Sequence, residues 1–176
     1  VNLREREAKS IRDFVQSAAD EGYLSGRVLD YGCGKQPYRD IVEAAGGEYH
    51  GTDSPDYPGS VVSEFVHPGW PHIYDAVLCT QVLQYIPVPH HALRQMRNNL
   101  VELNVPKDKA RHLVLTYPTN WPEVEPEDLH RFTKAGMERL LTEAGFEIIK
   151  HVQRASFKLP DSTDYFALGY GVICRA

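Results

Sequence analysis

Cysteine is scarce: Cys33, Cys79 and Cys174 are the only three in 176 residues. They stand far apart and form no C-x-x-C pair, so the chain has neither a disulfide framework nor a zinc-binding pattern. The metal expectation is therefore none, and a reducing, cytoplasmic setting is the natural one. No apolar run approaches the ~20 residues of a membrane span. The first residues do not form a signal-peptide pattern either. Positive charge is in deficit, with 19 Lys and Arg against 24 Asp and Glu, a formal net charge of -5. A chain without a broad basic field is poorly suited to a phosphate backbone, which disfavours nucleic acid as a partner. Internal repeats and low-complexity tracts are missing too. The length suits one domain with a proper core and is short for two. Residues 1–176 are read as a single unit, with an N-terminal helix over 1–22 and a core over 23–176.

What is present centres on Arg27-Val28-Leu29-Asp30-Tyr31-Gly32-Cys33-Gly34-Lys35-Gln36-Pro37-Tyr38-Arg39. Val28 and Leu29 suit a buried strand, Gly32 and Gly34 a sharp turn with close ligand approach, and Pro37 the first turn of a helix. Strand, glycine turn and helix open a doubly wound α/β sheet, whose ligands lie beyond the carboxyl ends of the strands. The dinucleotide pattern G-x-G-x-x-G is incomplete, because Pro37 falls on its third glycine and has no N–H for a phosphate. Asp30, two residues before Gly32, would repel a diphosphate and attract a cation. A ligand carrying an ammonium and a sulfonium, without phosphate, fits these residues better. An ordinary tight turn with Asp30 as its cap is the bland alternative.

The remaining pattern alternates helix and strand. Ile11, Phe14, Val15 and Ala18 give residues 3–20 an apolar stripe, stopped by Gly22. Residues 38–45 read as a crossover helix and 48–52 as the second strand. Asp53 then stands where such folds place an acid to accept ribose hydroxyls, or else merely opens a turn with Ser54-Pro55. A third strand is expected over 60–66, a buried fourth over 74–80, a helix over 89–100 and a fifth strand over 112–117. His90-His91 on that helix face different ways, which favours a solvated or capping role over a metal site. Residues 119–128, rich in Pro and Glu and carrying Trp121, form a long connection of the kind that handles substrate. Thr133 caps a helix running to Glu143, followed by strands over 146–156 and 170–174.

Taken together, Val28-Leu29-Asp30-Tyr31-Gly32-Cys33-Gly34, Gly51-Thr52-Asp53, the block from Tyr74 to Ile86, Asp128-Leu129-His130-Arg131-Phe132-Thr133 and Glu143-Ala144-Gly145-Phe146 resemble the class I S-adenosylmethionine-dependent methyltransferases. The resemblance implies a Rossmann-like, three-layer α/β/α fold. Its doubly wound, mostly parallel seven-stranded sheet has an antiparallel last strand inserted between the fifth and sixth. It implies S-adenosylmethionine as cofactor and S-adenosylhomocysteine as product. Asp30, Gly32 and Gly34 would line the methionine end, Asp53 would hold the ribose hydroxyls, Glu64 and Phe65 would lie nearest adenine, and Thr80 and Gln81 would run beneath the sulfonium. The chain departs from many relatives in carrying Gln84-Tyr85 for Glu-His, and Gln36 for a further glycine.

Methyl transfer from a sulfonium needs alignment and exclusion of water more than a universal catalytic residue. A hydroxyl or ammonium nucleophile must still lose a proton, and His130 is the expected base. Its competing role is within a loop and helix cap. Tyr117, Trp121, Asp128 and Arg131 are the other acceptor-side candidates. The expected reaction is methylation of an O or N nucleophile on a small molecule or a glycan or lipid intermediate. A methyltransferase-like binding subunit and a nicotinamide-dependent oxidoreductase are the alternatives.

Overall fold

The computed structural model describes residues 2–54, 74–100, 110–123, 126–158 and 163–176. Helix α1 (Leu3–Asp20) starts with a reciprocal cap, in which Asn2 Oδ1 accepts the Glu5 N–H at 2.9 Å and the Glu5 carboxylate accepts the Asn2 N–H at 3.2 Å. Two donors that an isolated helix would leave open are thereby satisfied. Its expected stripe of Ile11, Phe14, Val15 and Ala18 is buried.

Strands β1 (Arg27–Tyr31), β2 (Glu48–Thr52), β3 (Ala76–Thr80) and β4 (His112–Pro118) are parallel, and helices α2 (Arg39–Ala44) and α3 (Pro89–Leu100) lie between them in sequence. Helix α4 (Lys134–Glu143) is capped by Thr133, whose hydroxyl accepts the Gly136 N–H. Strand β5 (Glu147–Gln153) follows. A separate ribbon of β6 (Ser156–Lys158) and β7 (Tyr165–Ala167) leads to β8 (Gly169–Arg175). The main sheet is six-stranded among the described residues, in the order β2-β1-β3-β4-β8-β5, and β8 runs antiparallel between β4 and β5 as expected. The expected strand over 60–66 lies outside the described residues.

Period-two alternation sorts each strand between two cores. Val28, Ala76, Leu78, Val114 and Ile173 pack with α1 and α2 on one face; Leu29, Val77, Cys79, Leu115 and Val172 pack with α3 and α4 on the other. All three cysteines are buried thiols.

Two boundaries need correction. The strand expected over 146–156 stops at Gln153, because the Arg154 guanidinium turns inward to Glu7, Ser10 and the carbonyls of Tyr117 and Tyr170. Ser156 onward then pairs with the second half of a ribbon instead of with the sheet. Pro37 precedes Tyr38, the N-cap of α2, rather than occupying the first helical turn.

Candidate active site

The carboxyl ends of β1, β2 and β3 meet at the glycine turn. Gly32 and Cys33 both donate their N–H to the Thr52 carbonyl, at 2.8 and 3.0 Å, which locks the turn onto the end of β2. Gly32 has φ +77°, and a Cβ there would come within 2.3 Å of Val82 Cγ2, so neither the backbone nor the space admits a side chain. Gln36 adopts φ +58°. This is the left-handed conformation that glycine adopts most readily, and here a glutamine bears it.

Asp30 is wholly buried at the end of β1. Its Oδ2 accepts the Tyr49 hydroxyl at 2.5 Å, whereas Oδ1 has no partner among the described residues. Burial, together with the nearby Asp53 carboxylate and against the Tyr49 hydrogen bond, pushes the Asp30 carboxyl up to about 7. Burial and then the same two acids push the Cys33 thiol up to about 12, which removes it as a nucleophile. Asp53 is half-buried and accepts the Gly34 N–H on Oδ2 and the Ser54 N–H on Oδ1, each at 2.7 Å. One acid therefore ties the turn to β2 while each of its oxygens keeps a further lone pair.

Thr80 ends β3 near the hydroxyl of Tyr38, the cap of α2. Gln81 leaves the strand at φ +56°, with its backbone N–H on the Thr116 carbonyl at 3.1 Å and its amide on Thr116 Oγ1 at 3.2 Å. The Gln84 amide donates back to the Gln81 carbonyl at 2.8 Å. Two non-glycine residues with positive φ, Gln36 and Gln81, thus follow the ends of β1 and β3, where backbone strain is commonly held for function.

The segment carrying His130 is fastened to this turn. The N–H groups of Leu129 and His130 both reach the Gln84 carbonyl, and His130 Nε2 stands 3.0 Å from the Ile86 carbonyl. Facing a carbonyl, Nε2 carries the proton, which makes Nδ1 the acceptor. Arg131 forms a bidentate pair with Asp128, 2.5 Å on each arm, and also donates to the carbonyls of Trp121, Pro122 and His130. Asp128 and Arg131 therefore clamp their own loop, and Trp121 enters through its backbone. Tyr117 requires a correction: it is wholly buried, its hydroxyl 2.7 Å from His151 Nε2, so it faces the α3 and α4 core instead of an acceptor. Glu64 and Phe65 lie outside the described residues.

Tyr38 and Tyr49 were not singled out from the sequence. Tyr49 carried a legible signal, because it lies two residues before Gly51 in β2, and Gly51 is in register with Asp30. Those positions share one face of the sheet. The signal at Tyr38 was weaker, since a helix cap reveals its reach only after the sheet is assembled.

Residues 3–151 match the family described as a methyltransferase domain. The chain belongs to that family. This methyltransferase matches no curated protein, but solved structures share its fold. An S-adenosylmethionine-dependent methyltransferase from Mesorhizobium loti superimposes with a TM-score of 0.62 at 14% identity, over 91% of this chain and 96% of the other. The magnesium protoporphyrin IX methyltransferase of Synechocystis, solved with S-adenosylhomocysteine, gives 0.62 at 18% identity over 99% and 87%. A methyltransferase in complex with the Trm112 activator from Haloferax volcanii gives 0.64 at 15% identity over 98% and 97%. The class I, S-adenosylmethionine-dependent assignment and the Rossmann-like fold therefore hold. The site chemistry fits that cofactor: a buried carboxyl with one unpartnered oxygen suits an ammonium, and Asp53 can receive hydroxyls.

Proposed function

We propose that this methyltransferase transfers the methyl group of S-adenosylmethionine to an O or N nucleophile on a small molecule or a glycan or lipid intermediate. The observation that carries the cofactor half is Asp30: a buried carboxyl at a strand end, with Oδ1 unpartnered among the described residues, beside a glycine turn that Asp53 braces. In this proposal Asp30 meets the ammonium, Gly32 and Gly34 line the methionine end, Asp53 holds the ribose hydroxyls, and Thr80 and Gln81 form the floor beneath the sulfonium. Glu64 and Phe65 remain the adenine candidates.

The bound cofactor supplies a methyl already activated by positive sulfur. The chain's own contribution is then position and proton removal. The positive-φ exit at Gln81 sets the floor, while hydrogen bonds from Leu129 and His130 to Gln84 hold the acceptor side at a constant distance from it. His130, with Nε2 held by Ile86, takes the acceptor's proton on Nδ1. The Asp128–Arg131 clamp keeps that segment and Trp121 in place. Leu129, whose N–H is held by the Gln84 carbonyl next to His130, leaves 51% of its surface exposed, which suits an acceptor with an apolar part. Among the described residues no helix is long and apolar enough to cross a membrane.

Isothermal titration calorimetry with S-adenosylhomocysteine, with NADH as the contrast, tests the proposal. Binding of the thioether alone is the expected result. A folded protein that takes NADH and ignores the thioether would overturn it.

A further inference from the structure

A carboxyl group inside a protein is comfortable as an anion beside a cation or beneath several donors. Asp30 has neither among the described residues. It is wholly buried, one hydroxyl reaches Oδ2, and nothing reaches Oδ1. Among the described residues the titratable groups around it are Cys33 of the turn, Tyr38 at the cap of α2, Tyr49 of β2, Cys79 of β3 and Asp53 beyond β2, none of them cationic. The Arg39 guanidinium lies over the Tyr49 ring, 5.7 Å from its centroid, while Arg12 and Arg154 act on Tyr38.

The hydrogen-bond direction decides where a proton on Asp30 sits. Burial, followed by the neighbouring Asp30 carboxyl, drives the Tyr49 hydroxyl far above its ordinary range, so Tyr49 keeps its proton and donates it to Oδ2. A proton on the carboxyl must then reside on Oδ1, the oxygen without a partner.

Resting on the methyl-donor assignment above, we propose that Tyr49 is a positioning residue of that site. Its hydroxyl holds Oδ2 of Asp30 so that Oδ1 faces the ligand's ammonium, and the Oδ1 proton is released to solvent as the ammonium binds. The carboxyl becomes a carboxylate, the ammonium keeps its own three protons, and one proton passes to the buffer. Burial, which pushes the Asp30 carboxyl up to about 7, places this exchange in an accessible range.

The test is calorimetry of S-adenosylhomocysteine binding to the full chain in buffers of different ionisation enthalpy, between pH 5 and 7, where the ligand's amine stays protonated. Wild type should release about 0.5 proton at pH 7 and close to one at pH 6. Its affinity should weaken about fivefold from pH 7 to 6 and about tenfold more by pH 5. Tyr49→Phe removes the donor that favours the ionised form, so its midpoint should move to higher pH and its affinity at pH 7 should fall roughly tenfold. Asp30→Asn should release no proton. Wild-type binding without proton release, or a Tyr49→Phe midpoint equal to that of wild type, overturns the proposal while leaving the methyltransferase assignment intact. Failure of the folded wild type to bind S-adenosylhomocysteine overturns both. Should Tyr49→Phe not fold, the wild-type proton count decides alone.

Discussion

Arg154 and Glu7 form a buried ion pair, Nη2 to Oε1 at 2.8 Å, across 147 residues of chain. Their side chains are 1% and 9% exposed. The pair joins the start of α1 to the corner where the chain leaves β5, and the same guanidinium holds the carbonyls of Tyr117 and Tyr170. Removing one partner strands a buried charge, which costs about 3–5 kcal/mol. Glu7→Ala should therefore lose a stability of that size in urea unfolding. A loss below about 1 kcal/mol would show that water reaches Arg154 readily.

Asp30 trades stability for its site. A carboxyl whose folded value is raised binds protons more tightly in the native state than in the unfolded one. It therefore stabilises the fold at low pH and loses that contribution as pH climbs from about 4 to about 7. Asp30→Asn cannot ionise. The variant should match wild type near pH 3, below the unfolded value, and exceed it at pH 8 by a few kcal/mol in urea unfolding, while losing affinity for S-adenosylhomocysteine. Equal pH profiles for the two proteins would contradict the burial argument.

His130 reaches the Ile86 carbonyl through Nε2, leaving Nδ1 for the acceptor. His130→Ala should lower turnover by about 10²–10³-fold while S-adenosylhomocysteine affinity stays near wild type. Single-turnover methyl transfer, once an acceptor is in hand, checks this. Unchanged turnover would restrict His130 to fastening its loop.

Gly32 lies beneath Val82, with only 2.3 Å between a hypothetical Cβ and Val82 Cγ2. Gly32→Ala should destabilise the turn by about 2 kcal/mol or more and weaken cofactor binding. Adding Val82→Ala should restore the steric part and leave about 1 kcal/mol from the positive φ. A double-mutant cycle in thermal unfolding reads the two contributions apart.

Much of the sheet was legible because its signals are local. Leu3–Asp20 and the helix start at Pro89 follow from helical spacing and stop residues, and the structure has the same bounds; the expected second strand stands at Glu48–Thr52. The insertion of β8 between β4 and β5 came through the family resemblance, since strand order depends on contacts distant in sequence. The ribbon of β6 and β7 was missed because Arg154, an ordinary strand residue by pattern, is pulled from the sheet by Glu7. The acceptor side was least legible. Asp128, Arg131 and Tyr117 have the residue types of a binding site, yet the first two satisfy each other and the third is sealed in the core.

The sequence alone determined which residues stand at the strand ends, because chemical type and spacing along a strand are written in the chain: Asp30 before two glycines and Asp53 after the second strand. Only the tertiary structure decided what state those residues take. It buried Asp30 with no cation beside it among the described residues, brought Tyr49 to one of its oxygens and tied Asp53 to Gly34. Protonation and orientation depend on desolvation and on partners from neighbouring strands, which exist only after the sheet has closed.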